Sequence, residues 1–247
     1  MDYLLILSGY EDDPLFWERL LANVPAIANC KLSILCYPEL LWRHRKNDSE
    51  NERNEWLQGV IDVASTHKIN LKNGLKCVSD FSELEKPIEK SGCVVFSHVI
   101  FNELRTRKLL NKVGGSIISF DHNFNTVERC IIVFDRKVKS IVNFKKFFTH
   151  FAQTLKNVDV VLLIEMGNTL SEAAKNKKAV NYVISLFQSV GVITYVEKDL
   201  QNEIVRYVSL KENSVVIFNK SNYDTIIDPT FIERIQNKKI AYYLDEF

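Results

Sequence analysis

Short apolar runs alternate with longer stretches of helical period along the whole chain. The runs are rich in β-branched residues, which is typical of strands that are buried on both faces of a sheet. They predict ten strands, at residues 3–8, 31–37, 75–78, 93–97, 116–120, 130–134, 158–164, 192–196, 214–218 and 240–244. Strands that alternate with helices favour β-α-β units on a parallel sheet, so the pattern predicts an α/β fold.

The stretches between the strands carry their own helix signals. Asp13 is suited to cap a first helix that begins at Pro14. Thr169 and Glu172 form a capping box at the start of another helix, and Gly191 is placed to end it as a C-cap. A further helix is predicted by apolar residues at helical spacing, which are Ile141, Phe144, Phe148, Phe151 and Leu155.

The pattern of strands repeats once along the chain. Corresponding strands of the two halves start 117 to 127 residues apart. A repeat of half the chain predicts a tandem duplication of one five-stranded unit, because each half is long enough to bury a core of its own. The predicted domains are residues 1–121 and 128–247, joined by the polar segment 119–130.

Composition and charge narrow the classes of function. The 247 residues are 46% hydrophobic and 26% charged, which is ordinary for a globular protein. The formal net charge of +1 provides no overall field that attracts nucleic acid or an anionic membrane. No apolar run approaches the roughly 18 residues of a membrane span. The five cysteines form no Cys-x-x-Cys pair and indicate reduced, buried thiols, so we expect a cytoplasmic protein without nucleic-acid or membrane partners.

Candidate chemistry is concentrated at strand ends. In the stretch RCIIVFDRKVKSIVNFKKFF, residues 129–148, a buried strand runs directly into Asp135. Ligands of α/β sheets bind at the carboxyl ends of strands, so Asp135, Asn219 and Lys220 are candidate ligand contacts. Ser97 and His98 end the fourth strand of the first half, but the sequence indicates no third group for a Ser-His-acid relay. No histidines show the spacing of metal ligands, so no catalytic residue and no metal site are predicted.

The order of elements has a family likeness. The segments IIVFDRKVKSIVNFKKFFTHFAQTL, VDVVLLIEMGN and VGVITYV, within residues 131–196, follow the order of the universal stress protein family, which this chain resembles over nearly its whole length. The resemblance implies two tandem doubly wound five-stranded parallel sheets of strand order 3-2-1-4-5, packed as a pseudo-dimer through their last strands. In members that bind ATP, an aspartate ends the first strand, and Asp135 matches that position. A glycine-rich loop after the fourth strand holds the phosphates.

Both halves depart from the glycine-rich loop. In the first half, the only glycines after the fourth strand are Gly114 and Gly115, which directly precede the last strand. The second half has no glycine in this region, and the first half has Ser8 and Gly9 where the aspartate would be. Bulky side chains prevent the close backbone approach that a triphosphate needs. We therefore expect that ATP is not bound in the manner of the family.

Two hypotheses for the function remain. The first is a non-enzymatic stress-response or regulatory protein that has no cofactor and acts through protein contacts, as a homodimer or with a regulatory protein partner. The second is a nucleotide-binding or small-ligand-binding module with ATP or another adenine nucleotide as its ligand. In that case Asp135 contacts the adenosine-like part of the ligand, and Asn219 and Lys220 contact an anion. Weak hydrolysis of a bound nucleotide is compatible with this hypothesis. The missing glycines favour the first hypothesis.

Overall fold

The chain forms two compact units, Met1–Asn123 and Phe124–Phe247, called unit 1 and unit 2 below. The structure is a computed structural model that describes residues 2–7, 14–36, 50–69, 71–78, 80–106, 108–121, 123–135, 146–151, 155, 158–167, 169–235 and 237–245. Asp13, Ser8, Gly9, Ile141 and Phe144, on which some expectations rest, lie outside these residues. The domain limits expected from the sequence stay a prediction.

Unit 1 alternates strands and helices. Its elements are β1 Asp2–Leu7, α1 Pro14–Asn23, β2 Lys31–Cys36, α2 Glu50–Thr66, β3 Leu71–Cys77, α3 Ser82–Lys90, β4 Cys93–Ser97, α4 His98–Thr106 and β5 Ser116–Phe120. Short 3-10 turns occur at Pro25–Asn29 and Leu110–Lys112. The helix α1 begins at its proline, whose missing N–H is not needed at a first helical position.

Unit 2 has the same alternation. Its elements are β6 Arg129–Phe134, β7 Asp159–Glu165, α5 Leu170–Leu186, β8 Val190–Tyr195, α6 Leu200–Val208, β9 Asn213–Asn219, α7 Tyr223–Ile226, α8 Pro229–Ile235 and β10 Lys239–Asp245. Residues 146–151 are also helical. Turns of 3-10 helix occur at Glu197–Asp199 and Lys220–Asn222.

Every strand pair within the two units is parallel. In unit 1, β1 lies between β2 and β4, with β3 beyond β2 and β5 beyond β4. In unit 2, β6 lies between β7 and β9, with β8 beyond β7 and β10 beyond β9. The prediction of an α/β fold with parallel strands is therefore confirmed.

The cores explain why the strand signals were continuous apolar runs. All seven residues of β9 are buried, as are the last five residues of β1 and of β6. Parallel strands are covered on both faces, so they do not show the apolar-polar alternation of half-exposed strands. The strand β8 differs, since only Tyr195 of its six residues is fully buried.

Some local predictions were right and others were wrong. The capping box is confirmed: the Thr169 side chain accepts from the Glu172 N–H at 3.2 Å, and the Glu172 carboxylate accepts from the Thr169 N–H at 3.1 Å. The C-cap at Gly191 is wrong, because α5 already ends before Phe187 and Gly191 pairs with Val161 inside β8. No helix in the described part of the chain is long and apolar enough to cross a membrane.

Candidate functional site

The candidate site lies at the carboxyl ends of β6 and β9 in unit 2. These two central strands pair in parallel, and β7 and β10 lie on their outer sides. The chain order therefore reverses between β6 and β9, and open α/β sheets have their ligand crevice at such a point. Asp135 directly follows β6, and Asn219 is the last residue of β9. We call this place the unit 2 crevice.

Side chains in the unit 2 crevice bond to one another. The Asp135 carboxylate accepts from the Asn219 amide at 3.2 Å and from the Asn222 amide at 3.4 Å. The other end of the Asn219 amide accepts from the Ser221 N–H at 2.9 Å and so caps the short 3-10 turn after β9. Asp135 and Asn219, predicted from the sequence as ligand contacts, are therefore brought together, and their mutual bond fixes both side chains.

Lys220, the third predicted contact, is buried. Its exposed fraction is 2%, so its side chain lies within the unit rather than in solvent. A buried ammonium is stable only where it is paired or hydrogen-bonded. Its predicted role as a contact for an anion stays a prediction.

A second polar cluster lies next to the crevice. Asp245, at the end of β10, is paired in register with Asn219 and is 1% exposed. Its carboxylate accepts from the Lys146 ammonium at 3.0 Å and from the Tyr243 hydroxyl at 3.2 Å. The His150 ring lies 5.7 Å from the Tyr243 ring, centroid to centroid. We call these four residues the Asp245 cluster.

His150 is held neutral by its surroundings. Burial lowers its pKa to about 4, with Asp245 acting against this shift and Lys146 adding to it. A neutral imidazole at pH 7 offers no charge to a phosphate. The described ionic groups of the crevice and the cluster are two carboxylates and two ammoniums, Asp135, Asp245, Lys146 and Lys220, so they provide no net positive field.

The strand ends of unit 1 hold a different pair. The His98 Nδ1 atom lies 2.6 Å from the Ser119 hydroxyl, which is fully buried on β5. Ser97 is 8% exposed. A nucleophile must reach its substrate, and the burial of Ser119 favours a structural hydrogen bond over a catalytic dyad.

Other reactive groups in the described residues are arranged for packing. Cys130 is fully buried in β6, and burial raises the pKa of its thiol above its usual range, which makes it a weak nucleophile. In the described ranges, no three His, Cys, Asp or Glu side chains come together as a metal ion requires.

The sequence alone did not indicate three residues that take part in the polar contacts at the strand ends. Asn222 joins Asp135 because the turn after β9 folds back, and the polar run NKSN at the strand end was the available signal. Asp245 also ends a buried strand, as Asp135 does, so the same criterion would have found it. Ser119 carried no signal, since a serine within an apolar strand looks like a core residue.

Comparison with known proteins identifies the fold. No protein family matches the sequence, and no curated protein matches it. Among solved structures, a universal stress protein from Archaeoglobus fulgidus is similar, with a TM-score of 0.59 and 9% identity over 99% of this chain and 96% of that one. A universal stress protein candidate from Pseudomonas aeruginosa has a TM-score of 0.57 and 11% identity, over 99% and 93% of the two chains. A functionally unknown protein from the same species has a TM-score of 0.57 and 9% identity, over 99% and 92%.

These identities are low, so the likeness concerns the fold alone. It extends over nearly the full length of both chains in each comparison. The resemblance found in the sequence is thereby supported at the level of architecture. The chain has a universal-stress-protein-like fold.

Proposed function

We propose that the protein is a universal-stress-protein-like stress-response or regulatory protein that acts through contacts with other proteins. In this proposal it is not an enzyme, it is cytoplasmic, and it does not bind ATP in the manner of the family. The packing of its units as a pseudo-dimer and the formation of a homodimer by the whole chain belong to the same proposal. Sedimentation velocity would detect the homodimer.

The observation that carries the proposal is the set of hydrogen bonds within the unit 2 crevice. Asp135 is engaged by Asn219 and Asn222, so a nucleoside would have to replace existing bonds. Residues 213–245 contain no glycine, and Asn219, Lys220 and Ser221 carry side chains where a phosphate loop would present bare backbone amides. Both features weaken binding of a triphosphate.

The alternative is a nucleotide-binding or small-ligand-binding module that uses the same crevice. It is favoured by one observation, the convergence of Asp135, Asn219 and Asn222 at the point where the strand order reverses. Parallel α/β sheets bind ligands at such points. In this alternative, Asp135 contacts a ribose or base. Weak hydrolysis of a bound nucleotide is compatible with it.

Titration with nucleotides separates the two functions. Purified protein is titrated with ATP, ADP, AMP and cyclic nucleotides, and binding is followed by thermal shift and calorimetry. A ligand that binds only the folded state must raise its stability. Because the proposal has no nucleotide bound, we expect no stabilisation at millimolar nucleotide concentrations.

The matched variants are Asp135→Ala in the crevice and Asp159→Ala at the amino end of β7, the opposite edge of the sheet. Stabilisation by a nucleotide that disappears in Asp135→Ala and persists in Asp159→Ala would establish the alternative function. Stabilisation that persists in both variants would place a nucleotide outside the crevice and would also contradict the proposal.

A further inference from the structure

Unit 1 contains a cavity of about 400 Å³ between α3 and the sheet. Its lining includes Leu4, Leu35, Pro87, Lys76, Lys86 and Lys90. Cavities of about 300–1,000 Å³ with a mostly apolar lining and a few polar groups are the usual size and character of small-molecule sites. The cavity belongs to unit 1, whereas the unit 2 crevice is formed by β6 and β9.

The strand register places the floor of the cavity on one face of the sheet. Leu4 pairs with Ser33, and Leu35 pairs with both Ile6 and Lys76. Paired residues of parallel strands point to the same face, and every second residue along a strand does so as well. Leu4, Ser33, Leu35 and Lys76 therefore share a face, on which Leu4 and Leu35 are almost fully buried while Ser33 and Lys76 are more open.

The composition of α3 explains why a space remains beside it. Leu84 and Ile88 are fully buried and attach the helix to the unit. Lys86 and Lys90, at positions i and i+4, lie on one side of the helix and border the cavity. Long ammonium side chains extend to water rather than fill an apolar space, so the side of α3 that carries Lys86 and Lys90 does not close the cavity.

The rim of the cavity is positively charged. Three ammoniums, Lys76, Lys86 and Lys90, border it together with one carboxylate, Asp2. Lys76 lies 3.7 Å from Glu83 of α3. Within the part of the chain that the structure describes, Lys86 and Lys90 have no carboxylate at ion-pair distance. Their charges are thus available at the mouth of the cavity.

We propose that this cavity binds a small organic acid whose apolar body lies against Pro87 and the aliphatic stems of the lysines and whose carboxylate faces the ammoniums of Lys86 and Lys90. Pro87 and the aliphatic stems of the bordering lysines supply apolar contact area for the body of the ligand. The two lysines discriminate in favour of an anion over a neutral molecule of the same shape. The site goes beyond the proposed function and does not depend on it.

Hexanoate serves as the probe, and binding to the full chain is measured by calorimetry and by saturation-transfer NMR. We expect saturable binding in the millimolar range, as befits a ligand with few atoms. Neutral 1-hexanol and inorganic phosphate, which each lack one of the two recognised features, should bind at least about tenfold more weakly.

Lys86→Gln with Lys90→Gln should weaken hexanoate binding at least about tenfold, because both charges at the mouth are lost. The matched control is Lys177→Gln with Lys178→Gln, which removes two exposed lysines from α5 and should leave the affinity unchanged. Asp135→Ala should also leave it unchanged, which separates this site from the unit 2 crevice.

The proposal is overturned by any of three results. The first is the absence of saturable hexanoate binding up to about 20 mM, well above the millimolar constants expected of so small a ligand. The second is undiminished affinity in the Lys86 and Lys90 variant. The third is an equal loss of affinity in the Lys177 and Lys178 variant, which would indicate attraction by net charge alone.

Discussion

Strand-end carboxylates are the residues on which the interpretation of unit 2 depends. Asp135 follows the buried strand β6 and Asp245 is the last residue of the buried strand β10, yet their surroundings differ. Asp135 is partly exposed and accepts from two asparagine amides, while Asp245 is buried and accepts from Lys146 and Tyr243. A buried carboxylate that lost its cation or its hydroxyl partner would be left uncompensated, so these bonds are needed by the folded unit. Asp245 is therefore a structural acid, and Asp135 is the more accessible of the two carboxylates.

His150 should make stability depend on pH. Its pKa is about 4 in the folded chain because of burial, against about 6.5 when unfolded. At pH values between these two pKa values, His150 is protonated in the unfolded chain and neutral in the folded one. The contribution of His150 to stability is therefore constant above about pH 7 and falls as the pH drops from about 6.5 to 4. At pH 5 the loss from this group should be about 2 kcal/mol. Urea unfolding at pH 7 and pH 5 measures it.

The control for His150 is His150→Gln, which has no titrating ring. Between pH 7 and pH 5, the unfolding free energy of the variant should fall by about 2 kcal/mol less than that of the unchanged chain. The comparison uses the change with pH in each protein, so any constant loss of stability in the variant cancels. Equal pH dependence in the two proteins would contradict the assignment.

At the scale of elements, the paired glycines before β5 show how a sequence signal can have two explanations. Gly114 and Gly115 precede the last strand of unit 1, where no phosphate loop is expected. A Cβ atom on Gly115 would overlap the backbone of Gly92, and one on Gly114 would overlap the carbonyl oxygen of Glu89. The Ser116 N–H donates to the Gly92 carbonyl at 3.1 Å. These glycines allow the start of β5 to lie against the end of α3.

Gly115→Ala should destabilise unit 1 by about 1–3 kcal/mol, because the new methyl group overlaps backbone atoms, which cannot move aside by a change of rotamer as a side chain can. Gly59→Ala is the matched comparison, since a Cβ there has nothing within 4 Å and the residue lies inside α2. Alanine is the better helix former, so that change should stabilise by about 0.5–1 kcal/mol. Urea unfolding of both variants tests the pair, and destabilisations of equal size would refute the steric explanation.

The capping box of α5 also has a measurable value. Thr169→Ala removes the acceptor for the Glu172 N–H and should cost about 1 kcal/mol of unfolding free energy. Ser171→Ala, two residues away on the exposed side of the same helix, should be neutral or slightly stabilising. A loss in Ser171→Ala as large as that in Thr169→Ala would show that the cap is not the cause. Chemical unfolding with both variants decides this.

At the scale of the whole molecule, charge is balanced rather than concentrated. The chain has 32 basic and 31 acidic side chains. Non-specific binding to nucleic acid requires several lysines or arginines to neutralise phosphates together. Among the described residues, the three lysines at the rim of the unit 1 cavity lie close together.

We therefore expect no binding of duplex DNA at low salt, where electrostatic binding is strongest. Fluorescence anisotropy with a labelled duplex in about 50 mM salt should stay flat up to micromolar protein. Binding that weakens steeply as salt is added would contradict this expectation and would indicate a basic surface.

The sequence by itself determined the α/β class, the ten strands, the start of α1 at Pro14 and the capping box at Thr169. These features depend on local signals: continuous apolar runs, a proline at a first helical turn, and a side chain that reaches the backbone three residues away. The start of β3 was missed, because the strand begins at Leu71 and its next residues, Lys72 to Gly74, have no apolar signal. The C-cap at Gly191 failed because strand pairing outweighed a local preference.

Only the tertiary structure decided what the strand-end residues contact. Asp135 and Asn219 are 84 positions apart, and the parallel pairing of β6 with β9 brings their side chains to 3.2 Å. The neutrality of His150 depends on burial, and the cavity in unit 1 depends on how α3 packs beside the sheet. Such properties arise from distances between residues remote in sequence. A pattern read along the chain contains the residues but not those distances.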